Sequence, residues 1–344
     1  MNAHLRANLW LLALTMVLCS VLYPLALLGI GQTLFHDEAQ GSLLTDAQGH
    51  SVGSRLIAQP FTADEYFQPR PSAASYNAAA SGASNWAGSN YLLRDRVARQ
   101  LGPIVKYQSG PKKGQPAAPD IESWFQKDQY GGKPGIVAQW AALHSTVAQN
   151  WINADKLNAA YVSDWQKTHA AEVAQWVKDN PGTPAPQPAD LAVPFFTDYS
   201  QAHPGTFPSA VEHKKPDGKT EKKIEPVKEG GDIQSGFFDM WLQEHPDADL
   251  ERIPADMVMA SGSGLDPDIT VSNAIWQLDH RVADAWAKKT KATDEKRLHD
   301  QIEQLLRDKS RAPLGGLVGV PLVNVLEVNL ALRDLYQKIA EAGK

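Results

Sequence analysis

The chain predicts a mixed α/β (α+β) domain outside a membrane. One N-terminal transmembrane helix anchors it, and a long, mainly helical and proline-rich insertion splits it. Three observations carry this. A long uncharged apolar run stands near the N-terminus. Strand-like and helix-like periods alternate on both sides of the middle. The middle itself, residues 106–250, holds six of the ten tryptophans.

From Ala7 to His36 there is no Asp, Glu, Lys or Arg. The core of that run, Leu9 to Gly31, is 23 residues. As a helix it spans roughly 34 Å, against a hydrocarbon layer of about 30 Å. A cleaved signal peptide has a shorter apolar region, so residues 8–31 read as an anchor, with Gly29 and Gly31 the small residues a cleavage site would need. A lipoprotein site at Cys19 fails because Leu18 stands where a small residue is required. Pro24 removes a helical hydrogen bond, which membrane helices tolerate beside neighbouring helices, so Tyr23 and Pro24 are the expected partner contact. Arg6 precedes the span and Asp37 and Glu38 follow it. That places residues 1–7 in the cytoplasm of a cell whose inner membrane is crossed once, with the bulk outside.

After the span, "GSLL" and "VGSRLIAQPF" read as short strands across a turn. "YFQPRPSAASYNAAASGASNWAGSN" is too polar and glycine-broken for a regular element. "NYLLRDRVARQL" is an amphipathic helix, and with it a first half-domain runs over 32–105. Within the insertion, 121–180 has helical spacing through Leu157, Tyr161, Trp165, Val173, Trp176 and Val177, and Pro181 ends it. Residues 181–231 are rich in proline and lysine, with nine prolines between Pro181 and Pro226, and read as an extended linker. The second half-domain, 251–344, opens with "ADMVMASG" as a buried strand. Helices follow through Ile275, Leu278, Val282 and Trp286, then Leu298, Ile302, Leu305 and Leu306. Alternation at Val323, Val325, Glu327 and Asn329 predicts a strand first and a helix after it.

The formal charge is −6 with acids and bases interspersed, which argues against a nucleic-acid partner. Cys19 is the single cysteine, so no intrachain disulfide forms. "GHSVG", Gly49 to Gly53, matches a nucleophile elbow with Ser51 as nucleophile, but a strand rather than a helix is expected after it. A membrane-anchored serine hydrolase is the alternative this match keeps open. "DGKT", Asp217 to Thr220, ends like a phosphate loop, yet His213 stands where its first glycine belongs. The ten histidines include no pair three or four apart, so no metal site is expected. Tryptophans at helical spacing are core residues more often than a ligand platform, though an envelope-binding module in the insertion is a further alternative.

"SGSGLDPDIT" is first a strand-to-helix turn. Gly262 and Gly264 relieve backbone strain, Pro267 pushes Asp266 out of helical space, and Thr270 or Ser272 caps a helix starting near Val271. Asp266 and Asp268 in one turn make cation attraction the leading functional reading.

Taken in order, "YPLALLGIGQTLF", "AQGSLL", "VGSRLIAQPF", "YFQPRPSAASYN", "SGASN", "PADMVMASGSGLDPDITVSNAIWQLDHRVA" and "PLVNVLEVNLAL" resemble the KdpC family, the C subunits of the Kdp potassium-transporting P-type ATPase. The likeness covers 1–105 and 252–335, 189 of 344 positions. Its signature falls on Gly41, Ser42, Gln59, Phe61, Arg70, Pro71, Ser72, Ser84, Asn85, Ser261, Gly262, Ser263, Gly264, Asp266, Pro267, Arg281, Asn324, Glu327 and Asn329. The departures are Ala58 for a glycine, Asp268 where histidine is common, and the insertion. The resemblance implies a non-catalytic subunit with no cofactor of its own, ATP and potassium acting on the complex. Its implied partners are a channel-like potassium-translocating subunit, a P-type ATP-hydrolysing subunit, a small fourth peptide and the lipid bilayer. A catalytic-chaperone role raising ATP affinity is also attributed to the family, which conflicts with a soluble part lying outside.

Overall fold

A computed structural model describes residues 2–46, 49–215, 218–291 and 294–342. It divides into two compact units. The first is discontinuous, Met1–Ser84 with Pro254–Lys344, and the second is Asn85–Ile253. Helices dominate both. The sheets among the described residues are four antiparallel pairs, so the architecture is α+β, without the parallel sheet an α/β reading implies. The strands of the first unit are three or four residues long, too short to assemble a wider sheet.

The first unit begins with the apolar helix Ala3–Leu34, 32 residues long, whose most apolar 18-residue stretch has a mean hydropathy of 2.4 and is not buried. Its length and composition are compatible with a membrane anchor. A π turn, Leu18–Leu22, lies just before Pro24, and the Tyr23 N–H donates to Leu18 O. Pro24 has no N–H to give, and the widened turn absorbs that loss without breaking the helix.

The hairpin Leu43–Thr45 with Ser51–Ser54 follows. The strand expected to continue through Phe61 stops at Ser54, because the Ala58 N–H leaves for Leu265 O, 2.9 Å away. "ADMVMASG" is likewise not a strand. Ala255–Val258 is one helical turn, and Asp256 accepts from both the N–H and the hydroxyl of Thr270 at 2.8 and 3.2 Å. The pair Asp268–Thr270 with Leu322–Asn324 leads into two helical runs. Thr270 caps the first, its hydroxyl accepting the Asn273 N–H at 3.0 Å, and the helix starts at Val271 as expected. The strand at Val323 passes into the helix Val325–Ala342. Phe67, Leu278, Val282, Trp286, Ile302 and Val328 form the core between these helices and Glu295–Lys309.

The second unit packs helices around Trp140, which is 1 % exposed. Phe196, Phe207 and Phe237 surround that indole at 5.1–5.6 Å, the first two edge-on. Trp124 and Trp241 share the core, and Trp151 and Trp165 pack against it. The 121–180 stretch is helical apart from a two-residue hairpin at Gln129–Tyr130 and Lys133–Pro134. The linker expected at 181–231 is folded instead. It forms the helix Ala192–Ala202 and an eight-residue hairpin, Phe207–Lys214 with Thr220–Val227. Leu191, Phe195 and Phe196 lock this segment to the core, and Pro208 and Pro226 face each other in the ladder as edge strands allow. Past the helix Tyr91–Leu101, residues 106–108 pair with the last residues of the unit. Glu251 N–H donates to Lys106 O at 2.9 Å, and Gln108 N–H to Asp249 O at 2.8 Å.

Candidate functional site

The signature residues of the first unit converge on one object, the irregular stretch Arg55–Ser84, which the other half of the unit holds in place. Its backbone has no strand partner, so its polar groups need side chains. Carboxamides supply them. Asn329 accepts the Phe67 N–H and donates to Phe67 O, both at 2.9 Å. Gln277 does the same for Gln68, at 2.7 and 3.0 Å. Asn324 donates to Arg55 O at 2.8 Å, and its oxygen takes the Glu327 N–H at 3.1 Å. Glu327 closes an ion pair on Arg55. Arg281 donates to Tyr66 O at 3.1 Å and to Gln277 at 2.8 Å, and burial pulls its pKa down.

Further along, the "RPSA" turn meets the "SGSGLDP" loop. Arg70 reaches Asp266 at 3.3 Å. Pro71 O accepts the Ser261 N–H at 3.1 Å. The Ser72 hydroxyl donates to Gly264 O at 2.5 Å and accepts the Tyr76 N–H at 2.9 Å. Ser81 and Gly82 both donate to Ser263 O at 2.9 Å. Gly264 sits at φ +68°, and a Cβ there would lie 2.6 Å from Gly82 O and 2.8 Å from Ala74 Cβ. Only glycine allows that approach. Gly262 meets nothing within 4 Å. Pro267 O takes the Val325 N–H at 2.9 Å, which joins the loop to the last helix.

Asp268 forms an ion pair with Arg311. Burial raises its pKa, and Arg311 opposes the rise. Each carboxylate of the Asp-Pro-Asp turn thus already faces a guanidinium, which offsets much of the field a free cation would meet.

Other signature positions shape the hairpin. Gly41 and Ser42 turn at φ 82° and 49°, Gly41 O accepting the Ser54 hydroxyl at 2.7 Å. Gln59 donates to Val52 O at 3.1 Å beside Gly53, where a Cβ would collide with it. Phe61 lies 5.8 Å from Tyr66. Ser84 and Asn85 fall on either side of the division between the units. Tyr23 and Pro24 lie in the apolar helix.

Ser51 opens the strand Ser51–Ser54, and irregular chain follows it, so the elbow geometry is missing. Asp217 of "DGKT" lies outside the described residues. His299, Asp300 and Glu303 cluster within 4.8 Å. However, His299 contacts Asp279 at 2.7 Å and Glu303 pairs with Arg307, so that trio is already engaged. Sequence reasoning missed Gln277, Asp256 and Arg311. Gln277 recurs on the helical face of Asn273 and Arg281, a periodicity that marks it. Asp256 and Arg311 carry no local signal.

The model of a family described as "KdpC: K+-transporting ATPase, c chain" matches residues 5–121 and 232–334, more than half of the chain. The chain belongs to the KdpC family. The unmatched residues 122–231 all fall in the second unit. A KdpC subunit of a potassium-transporting ATPase from Pseudomonas putida strain F1 is 47% identical over 111 residues, 32% of this chain and 60% of the relative. One from Pseudomonas syringae pv. tomato is 45% identical over 111 residues, 32% and 58%. One from Methanosphaerula palustris is 47% identical over 97 residues, 28% and 52%. The matched stretch therefore spans a little over half the length of these KdpC relatives.

Proposed function

We propose that this KdpC-family chain is the accessory subunit of an ATP-driven potassium uptake complex. The helix Ala3–Leu34 anchors it in the inner membrane, and the rest lies outside, at the entrance of the potassium pathway. The chain performs no catalysis. It stabilises the assembly of a channel-like potassium-translocating subunit, an ATP-hydrolysing subunit and a small fourth peptide, and ATP and potassium act on that complex.

One observation supports this best: the signature side chains point inward. Asn324, Asn329, Ser72, Arg70 and Arg281 spend side-chain hydrogen bonds on the chain's own backbone. Such residues rigidify a body that docks. With the folded units outside, cytosolic ATP is out of reach, so any effect on ATP affinity belongs to the complex.

Protease added to intact spheroplasts tests the topology: the carboxyl end should be digested. Protection in intact cells with digestion after lysis would overturn it. Co-purification with the pump subunits tests the role. Loss of the whole complex when this chain is deleted is expected, and an unchanged complex with unchanged potassium uptake would refute an assembly function.

A further inference from the structure

Between Arg311 and Glu327 the chain has no ionisable residue. Arg311 and Leu322 close the base of a loop through two mutual backbone hydrogen bonds, at 2.8 and 2.9 Å. The tip turns its large side chains out: Leu314 is 75% exposed, Leu317 87% and Val318 62%. Leu314 adopts φ 48°, and Gly315, Gly316 and Gly319 are also left-handed. The backbone thus takes an unfavourable turn, at leucine, in a segment that buries none of its apolar tip.

The root of this loop is tied to the end of the apolar helix. Ser42 N–H donates to Asp37 O at 2.7 Å, Arg55 N–H to Ser42 O at 2.9 Å, and Asn324 to Arg55 O at 2.8 Å. Asp37 stands three residues beyond Leu34, where the apolar helix ends. Three hydrogen bonds and two intervening residues keep Asn324 within about 15 Å of Asp37. The chain crossed by this ladder carries two more exposed leucines, Leu43 at 55% and Leu56 at 60%.

We propose that the loop 313–320 rests in the lipid surface, at the boundary between headgroups and acyl chains. This rests on the reading of Ala3–Leu34 as a retained anchor. A lipid occupant is favoured over a protein one because the tip offers no hydrogen-bonding or charged side chain for the polar rim that protein interfaces use, and Arg311 at its base is held by Asp268. The tether supplies the rest. A unit anchored a few residues away meets the bilayer at high effective concentration, so a few apolar side chains suffice to hold the loop there.

The test uses the full chain, with Cys19→Ser and Leu317→Cys carrying an environment-sensitive fluorophore, in phosphatidylethanolamine–phosphatidylglycerol vesicles. Lipids brominated high on the acyl chain should quench the emission by about twofold or more, as for an interfacially seated side chain. Leu314→Glu with Val318→Glu should abolish the quenching while leaving the hydrogen-exchange protection of Asn329 and Phe67 unchanged. Emission that brominated lipid leaves untouched overturns the inference. Emission shielded only when the other pump subunits are added overturns it too, and assigns the loop to a protein partner. Chain that still copurifies with the pump in either case leaves the accessory role standing. Chain released from the vesicles as a soluble fragment removes the anchor on which both rest.

Discussion

Asn329 and Phe67, 262 positions apart, exchange two hydrogen bonds of 2.9 Å, with Asn329 3% exposed and Phe67 fully buried. One carboxamide therefore serves as the whole strand partner of an otherwise unpaired residue. Replacing it with a leucine of similar size leaves a buried N–H and a buried C=O without partners. Asn329→Leu should destabilise the first unit by about 2–4 kcal/mol, since each orphaned group costs about 1–3 kcal/mol. Hydrogen exchange of the full chain should show the loss across 55–84 and the last helix, and protection equal to the parent chain would exclude the role given to this pair.

Gly264→Ala adds a Cβ where the nearest atoms are 2.6 and 2.8 Å away, at a left-handed backbone position. Backbone strain and clash together should cost about 2–4 kcal/mol. Gly262→Ala, three-dimensionally free, should cost well under half of that in the same thermal melt. Equal effects would mean that the glycines serve something other than this close approach.

His144 stacks on Tyr91 with ring centres 4.6 Å apart. Burial lowers its pKa below the ordinary 6.5, the nearby Asp239 and Asp95 opposing the shift. The folded state thus prefers the neutral ring. Its contribution to stability is present above pH 6.5 and is lost as pH falls through the lowered folded value. The second unit should weaken on acidification in that window, and His144→Phe, which keeps the stack, should flatten the dependence. A slope identical in the variant would remove His144 as its source.

Three phenylalanine rings surround Trp140. Trp140→Ala should cost the second unit about 3–5 kcal/mol. If the unit folds by itself around this core, protection in the first unit should be unchanged, and a matching loss there would show that the two are energetically one.

Ser51→Ala should alter neither potassium uptake nor ester hydrolysis by purified membranes. A measurable loss of esterase activity would reopen the hydrolase reading, against the strand that Ser51 begins.

Local signals carried far in this chain. The cap at Thr270 and the helix start at Val271 rest on neighbours within a few residues and were legible. The order strand then helix near Val323 was legible too, but the alternation read as strand through Asn329 is helix from Val325 onward, where Val325, Glu327 and Asn329 belong to the last helix. The turn "SGSGLDP" was legible as a turn, but not its purpose. What fixes Gly264 is Ala74 and Gly82, and what neutralises Asp268 is Arg311, and neither pairing leaves a trace in local sequence. The same reason hid the carboxamide partners. Asn329 and Gln277 reach residues more than 200 positions away. The misread segment 181–231 failed differently. Its hairpin is exposed along most of its length, so charge and proline dominate its composition, while the few residues that fasten it, Leu191, Phe195, Phe196 and Phe207, are too sparse to set a period.

The meeting of Lys106 with Glu251 at the neck of the second unit has a consequence for how the chain is made. The contacts that join the two halves of the first unit span the whole intervening segment, so those halves cannot close on each other until the ribosome has passed residue 254. The intervening body is contiguous and can fold as it emerges. Once it has, the pairing of Lys106 with Glu251 has already closed most of the chain between the two halves of the first unit, which leaves a much shorter loop to close. An embellishment of this size is therefore kinetically mild: it can finish first and shortens the loop its host has to close.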